Sequence, residues 1–260
     1  RAFKLINVPN DYKFYFNDEP EIKVPYYNTY REPRFYAYLG FDQGRYFCQM
    51  EPDDTKSAVI RSKAMDFAGL KNVNYCITGY TCKKIIPWDR QYITNVIDNE
   101  GETLYFWPII RYSDLYLMCA EALNESKEVP DGEVYQYIQA VRSKAGLDKE
   151  TSSLVETWSR YSTNPNKPKT KEGMRDIIRQ ERMIELAFEG QRYWDLRRWM
   201  LAADYFNRPL RGWNANGNTD LEYYKETYIY NRKFATKDYF WPLRQKSLDS
   251  NHKLVQNLGW

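Results

Sequence analysis

Three glutamates with helical spacing are the residues of this sequence best suited to acid–base chemistry. Glu181, Glu185 and Glu189 follow one another at intervals of four. On an α-helix such side chains share one face, with Cβ atoms about 5–6 Å apart. A retaining glycoside hydrolase needs two carboxyl groups about 5–5.5 Å apart. A glycoside hydrolase that uses Glu181 and Glu185 is therefore one hypothesis for this chain.

Neighbouring arginines favour a structural role for the same glutamates. Five arginines lie in this segment: Arg179, Arg182, Arg192, Arg197 and Arg198. Guanidinium groups keep nearby carboxylates ionised, whereas a general acid must carry a proton. We therefore expect an ion-pair lattice that ties this helix to Arg111, Asp114 and Glu121 of an earlier one, and we expect no enzymatic activity.

Aromatic residues provide a second kind of candidate site. The chain has 24 Tyr, 12 Phe and 8 Trp, and half of them precede Pro108. A flat ring in a loop can stack on the apolar face of a sugar while polar neighbours bind its hydroxyls. The rings in turn-rich contexts are Tyr26, Tyr27, Tyr46, Phe47, Trp88, Tyr92 and Trp213, with Asp42, Arg45, Asp89 and Arg90 as polar neighbours.

From these, we predict that the ligand-binding residues are Trp88, Tyr46, Tyr26, Asp89 and Arg90. Trp88 ranks first because an indole offers the largest stacking face and has two polar neighbours. For each ring taken alone, packing beneath a loop is the alternative.

Other chemistries are excluded by composition. The chain has a single histidine, His252, and four cysteines, with neither an HExxH nor a CxxC motif, so we expect no metal site and no cofactor. The spacing of Cys76 and Cys82 leaves a disulfide open. The 38 basic and 35 acidic residues are interleaved, which argues against nucleic acid as a partner. No apolar stretch approaches the roughly 20 residues of a transmembrane helix.

Helices must position the glutamates, and their periodicity begins after Pro108. We predict a helix from near Ser113, whose apolar face consists of Leu115, Met118, Cys119 and Ala122. A second helix is predicted to begin at Pro130 and Asp131 and to end at Gly146. The sequence predicts an exposed loop over residues 149–169.

The strongest predicted helix begins after Thr170 as N-cap, and Gly190 marks a break before a shorter helix at residues 193–201. Phe188, Trp194 and Trp199 are predicted core anchors. Residues before Pro108 read as short strands and turns, and those after Asn207 read as loop.

Five sequence strings resemble the SusD/RagB family in their order. They are REPRFYA (31–37), TGYTCKK (78–84), RYSDLYLMCAEALNE (111–125), ERMIELAFEGQRYWDLRRW (181–199) and the ending WPLRQKSLDSN with QNLGW (241–260). Glu32 stands where the family has Asp, Gln245 where it has Glu, and Leu258 where it has Pro. The resemblance extends over most of the chain and corresponds to the C-terminal half of such proteins.

The resemblance implies a mainly α fold of tetratricopeptide-like helix pairs with long irregular loops and a few short strands. It also implies a binding protein that captures an oligosaccharide, or a peptide in RagB-like members, and passes it to a SusC-like TonB-dependent transporter. Such proteins lie on the extracellular face of the outer membrane, held by a lipid anchor outside this chain. The glycan contacts of the family come from variable loops, so none is carried over by motif.

Within this single family domain we predict three parts. Residues 1–107 form a loop-rich, aromatic-rich part that faces the ligand, residues 108–207 form the helical part, and residues 208–260 form a docking tail.

Overall fold

The computed structural model describes residues 4–19, 22–47, 57–71, 75–86, 107–148, 150–151 and 153–260. In agreement with the sequence, this part of the chain is mainly α-helical with short strands. None of its helices combines the length and hydropathy that a transmembrane segment requires. The three-part division of the chain stays a prediction.

The helices lie mostly in the second half of the chain. They are α1 (Pro33–Tyr38), α2 (Tyr112–Ser126), α3 (Gly132–Lys144), α4 (Leu154–Tyr161), α5 (Lys171–Glu185), α6 (Gln191–Arg198), α7 (Ala202–Phe206), α8 (Asp220–Tyr223) and α9 (Gln245–Ser250). Short 3₁₀ turns lie at Asn10–Tyr15, Tyr26–Asn28, Lys167–Lys169 and Thr236–Tyr239.

The strands form two-stranded antiparallel pairs. These are β1 (Leu5–Asn7) with β2 (Lys23–Pro25), β3 (Leu39–Phe41) with β6 (Tyr80–Cys82), β4 (Arg45–Tyr46) with β5 (Ala58–Val59), and β7 (Pro209–Trp213) with β8 (Glu226–Asn231). The β7–β8 pair corrects the prediction of loop after Asn207: the turn-rich residues between these strands close a hairpin-like unit that also holds α8.

The predicted helix ends are confirmed by their caps. The side chain of Asp131 accepts hydrogen bonds from the backbone amides of Glu133 and Val134, and that of Thr170 accepts one from Gly173. Gly190 has φ of 81°, a left-handed conformation that glycine adopts without a Cβ clash. This glycine separates α5 and its last turn from α6.

The main hydrophobic core lies between α2, α3 and α5. Its fully buried members include Leu117, Val134, Ile138, Met174 and Ile178. Leu154 of α4 is also completely buried in this cluster. The exposed loop predicted for residues 149–169 is therefore wrong in part, because Ser153 caps a helix whose first residue completes the core.

The predicted apolar face of α2 is the wrong one. Leu115 and Met118 are 40% and 42% exposed, and Cys119 and Ala122 are exposed as well, whereas Leu117 is fully buried. The helix carries apolar residues on more than one face, so periodicity alone could not select the side that packs on α3 and α5.

Two of the three predicted core anchors are also corrected. Trp194 is 56% exposed, and Phe188, with a left-handed φ of 67°, is 42% exposed. Trp199 is half-buried and lies between the guanidinium groups of Arg179 and Arg198, 4.9 and 4.7 Å from its ring centroid. The left-handed residue Phe188 lies between α5 and α6, so the periodicity of α5 does not continue through it to Trp194.

A comparison of two leucines on α2 tests which face packs. Leu117→Ala should lower the free energy of unfolding by about 2–5 kcal/mol, because it leaves a cavity in the core. Leu115→Ala, the matched control two residues away, should cost far less because its side chain is already partly in water. Urea unfolding of both variants measures the difference, and an equal loss would contradict the assignment of the buried face.

Candidate functional site

A buried network of ion pairs joins the glutamate face of α5 to other segments. Glu181 and Glu185 are only 3% and 5% exposed. Arg34 of α1 places one guanidinium nitrogen 2.6 Å from Glu181 and 2.9 Å from Glu185. Arg111, the residue before α2, lies 2.7 Å from Glu185 and 2.7 Å from Glu189. Two other segments of the chain therefore bind the carboxylates of α5 and of Glu189, which follows it.

At Arg182 the charges are reversed, because one buried arginine lies between two carboxylates. This buried guanidinium of α5 lies 2.9 Å from Asp114 of α2 and 2.8 Å from Asp195 of α6. Arg198 of α6 also contacts Glu121 of α2 at 2.6 Å. The predicted lattice between this segment and Arg111, Asp114 and Glu121 is thus confirmed.

Sequence spacing did not reveal the partners from the first third of the chain. Besides Arg34, Lys84 donates hydrogen bonds to the Glu189 carboxylate and to the Glu185 carbonyl. Both residues lie within strings that mark the family resemblance, REPRFYA and TGYTCKK. The two strings were the signal in the sequence that could have pointed to these partners. REPRFYA supplies the buried Arg34, and TGYTCKK supplies the half-buried Lys84.

The geometry does not support a glycoside hydrolase at Glu181 and Glu185. Both carboxylates are buried against guanidinium groups, so a glycosidic bond has no access to them. Burial raises the pKa of Glu181 despite the nearby Arg34, whereas for Glu185 the effect of burial is outweighed by hydrogen bonds from Arg111 and Arg34, which lower its pKa. Burial and the guanidinium groups thus shift the pKa values of the two glutamates in opposite directions.

Arg182 provides a test of the network's role in stability. Arg182→Met should cost about 3–5 kcal/mol of unfolding free energy, because Asp114 and Asp195 would be left as uncompensated charges in a buried environment. Arg175→Met, on the same helix, removes a more exposed ion pair with Glu125 and should cost about 0–1 kcal/mol. Chemical unfolding measures both, and similar losses would show that burial does not set the strength of these pairs.

The pKa of Glu185 predicts a pH dependence. In the unfolded chain a glutamate takes up its proton at about pH 4.3, whereas the lowered pKa in the fold delays this uptake to more acidic solution. The stability that Glu185 contributes is therefore present above about pH 4.3 and lost as the pH falls through the pKa of the folded state. Glu185→Gln should be destabilised at pH 7 but should lose less stability on acidification than the parent.

Unfolding curves in urea between pH 7 and pH 3.5 compare the two proteins. Glu172→Gln is the control for general acid effects, because Glu172 lies on the same helix and its side chain is exposed to solvent. An identical acid dependence in the parent and in Glu185→Gln would contradict the assignment.

The predicted ligand-binding residues have different placements. Trp88, Asp89 and Arg90 lie outside the described residues, so their prediction stands untested. Tyr46 is half-buried in β4, and the Lys83 ammonium lies 5.7 Å from its ring centroid. Tyr26 is exposed at the start of the 3₁₀ turn Tyr26–Asn28.

Tyr26 belongs to a cluster of exposed rings, here called the tyrosine surface: Tyr26, Tyr27 and Tyr30. Their exposed fractions are 54%, 51% and 56%. The ring centroids of Tyr26 and Tyr30 are 5.6 Å apart, and the Arg31 guanidinium lies 4.0 Å from the centroid of Tyr27. Large apolar ring surface and a cationic donor are thus brought together on one turn.

Buried contacts fix this turn from beneath. Asn28 is fully buried, and the hydroxyls of Tyr36 and Tyr80 donate hydrogen bonds to its carbonyl oxygen and its Oδ1 at 3.1 and 2.6 Å. Tyr30 has a φ of 55°, an uncommon conformation for a residue with a Cβ, and its ring meets that of Tyr12 edge-on at 5.2 Å. The exposed rings are therefore held by the packed residues around Asn28.

A polar cleft of about 520 Å³ lies along the 3₁₀ turn Asn10–Tyr15, which also carries Tyr12. Its polar lining residues are Asn7, Asn10, Lys13, Asn17, Asp18 and Glu19. Amide and carboxylate groups of this kind can exchange hydrogen bonds with sugar hydroxyls.

The sequence predicted part of this surface but not all of it. Tyr26 was predicted, Tyr27 was noted beside it, and Tyr30 was missed; the string YYNTYR at 26–31, dense in tyrosine next to arginine, was the signal. Trp213 is only 6% exposed and packs with Tyr223 and Tyr224 in a separate core cluster. For this ring the alternative of packing beneath a loop is correct.

Metal chemistry has no candidate among the residues described. In those ranges no group of three or more His, Cys, Asp and Glu side chains is arranged to hold a metal ion. Cys76 and Cys82 are both free thiols in this structure.

Comparison with known proteins identifies the class. The family model described as the SusD family matches residues 12–260, and the chain belongs to this family. The predicted family resemblance is thereby confirmed. SusD-like protein P2 of Formosa agariphila is 30% identical over 148 residues, which are 57% of this chain and 24% of that protein.

Solved structures agree on the fold. A SusD-like protein from Bacteroides fragilis has a TM-score of 0.66 at 27% identity, over 88% of this chain and 39% of its own. A SusD-like carbohydrate binding protein from the same species has a TM-score of 0.65 at 23% identity, over 94% of this chain and 47% of its own. The chain spans less than half the length of these relatives.

Proposed function

We propose that this chain contributes to the capture of an oligosaccharide, which the tyrosine surface binds by ring stacking and the neighbouring polar groups bind by hydrogen bonds. No bond of the ligand is cleaved. The observation that carries the proposal is the exposure of Tyr26, Tyr27 and Tyr30 on a segment whose central residue, Asn28, is buried and hydrogen-bonded to Tyr36 and Tyr80. Rings left half in water on a rigid turn suit a ligand with both an apolar face and hydroxyls.

Family membership supports the cellular part of the proposal. The chain would act in a protein lipid-anchored at the extracellular face of the outer membrane, which passes its oligosaccharide to a SusC-like TonB-dependent transporter. One protein that shares this fold is named a carbohydrate binding protein, so the fold is compatible with such a ligand. In this chain itself, the tyrosine surface is the feature that supports such a ligand.

Alanine substitutions test the tyrosine surface. Tyr26→Ala and Tyr30→Ala should each weaken oligosaccharide binding, by analogy with the loss of about 1–3 kcal/mol when a ring that stacks on a nucleic-acid base is removed. Tyr112→Ala is the control, because Tyr112 is also exposed but lies at the start of α2. Isothermal titration against a panel of neutral oligosaccharides measures the affinities, with thermal melting to confirm folding.

Parallel titrations of Trp88→Ala and Tyr46→Ala test the other predicted residues. Loss of affinity in these two with none in Tyr26→Ala or Tyr30→Ala would move the site away from the tyrosine surface. Binding of peptides but of no oligosaccharide would replace the proposal with the RagB-like, peptide-binding function.

A further inference from the structure

A second cavity, of about 310 Å³, lies on elements separate from the tyrosine surface. Its walls come from α5, α6, α7 and the 3₁₀ turn Lys167–Lys169. The charged lining residues are Lys167, Arg179, Arg192 and Asp176, and the aromatic ones are Trp199 and Tyr205. Three cations thus face the cavity with a single carboxylate, and the volume is at the lower end of the range of small-molecule sites, about 300–1,000 Å³.

Two of these cations have no anionic partner in the described part of the chain. Neither Arg179 nor Arg192 forms an ion pair there, and the Arg179 Nε is buried without a hydrogen-bond acceptor. The Arg179 guanidinium lies 4.9 Å from the Trp199 ring centroid, and that of Arg192 lies 4.8 Å from the Tyr205 ring centroid. The rings hold both guanidinium groups at the cavity wall but accept no strong hydrogen bond from them.

Other arginines on α5 and α6 differ from Arg179 and Arg192, because each of them has a carboxylate partner. Arg175 binds Glu125, Arg182 binds Asp114 and Asp195, and Arg198 binds Glu121, so each has its carboxylate. The acid at the cavity, Asp176, is largely exposed and lies 3.8 Å from Lys167 rather than on either arginine. A buried guanidinium nitrogen with no acceptor is costly, and a ligand oxyanion would offset that cost.

We infer that this cavity binds the oxyanion of an acidic sugar residue, either a carboxylate or a sulfate ester, with Arg179 and Arg192 as the two donors. A planar guanidinium can donate two parallel hydrogen bonds to such a group, and the volume suits about one sugar ring. Lys167 adds positive charge at the cavity wall. The assignment of a sugar as carrier of the anion rests on the proposed function, whereas the anion site itself rests on the two arginines.

Titration calorimetry of the whole chain tests the inference with four probes: glucuronate, glucose 6-sulfate, sodium sulfate and glucose. Glucuronate and glucose 6-sulfate should compete for one site, or one of them alone should bind. Free sulfate should bind more weakly than the acidic sugar, and glucose should not bind at this site. Arg179→Met and Arg192→Met should each weaken acidic-sugar binding about tenfold or more, since a charge-assisted hydrogen bond is lost. Higher salt should weaken binding in the parent protein.

Arg175→Met is the matched control, one helical turn from Arg179 and outside the cavity lining. Arg179→Lys, which keeps the charge but not the planar fork, tests the site if either methionine variant melts at a clearly lower temperature. Tight binding of free sulfate with no gain from the sugar would overturn the sugar as carrier. Absence of binding by all three anions, or binding unchanged in both arginine variants, would overturn the site.

Failure here is distinguishable from failure of the proposed function. Arg179→Met and Arg192→Met should leave the binding of neutral oligosaccharides at the tyrosine surface unchanged, and Tyr26→Ala should leave glucuronate binding unchanged.

Discussion

Burial of charge on α5 is the constraint on which the arrangement of the other segments depends. Removing a carboxylate or guanidinium from water costs several kcal/mol unless a well-placed partner compensates it. Glu185 finds such partners in Arg34 and Arg111, and Arg182 finds them in Asp114 and Asp195. The segments that carry these partners, α1, the start of α2 and α6, must therefore be in place together, because the loss of any one removes part of the compensation of a buried charge. The apolar core between α2, α3 and α5 places no such demand on residues as distant as Arg34.

Much of the helical part could be predicted, because its signals are local. Asp131, Thr170 and Gly190 define helix ends through their own side chains or backbone freedom. The four-residue spacing of Glu181 and Glu185 places both on one face of α5, whereas Glu189 lies beyond the end of that helix. Choosing the buried face of α2 needs information that is not local. Leu115 and Leu117 are equally apolar, and only the position of α3 and α5 decides which of them is covered.

The candidate site was less predictable for the same reason. An aromatic residue in a turn-rich sequence can end in water, as Tyr26 does, or in a core, as Trp213 does. The difference arises from partners remote in sequence: Trp213 packs on Tyr80 and Tyr224, whereas no residue of the described chain covers Tyr26 to that degree. The unpartnered state of Arg179 is equally invisible to spacing, since the arginine one turn before it, Arg175, finds Glu125 on another helix.

The hydrogen bonds that hold Asn28 in place reduce the entropy that is lost when a ligand binds to the tyrosine surface. When a flexible loop becomes ordered around its ligand, the loss of conformational entropy reduces the binding free energy by about 0.5–1.5 kcal/mol for each side chain that is immobilised. Here the turn is already held at Asn28, whose carbonyl oxygen accepts a hydrogen bond from Tyr36 and whose Oδ1 accepts one from Tyr80. The Tyr30 ring already packs against that of Tyr12. Most of that entropy is lost when the chain folds, so the rings meet a ligand as a preformed shape, and selectivity among ligands then depends on how well each one fits it.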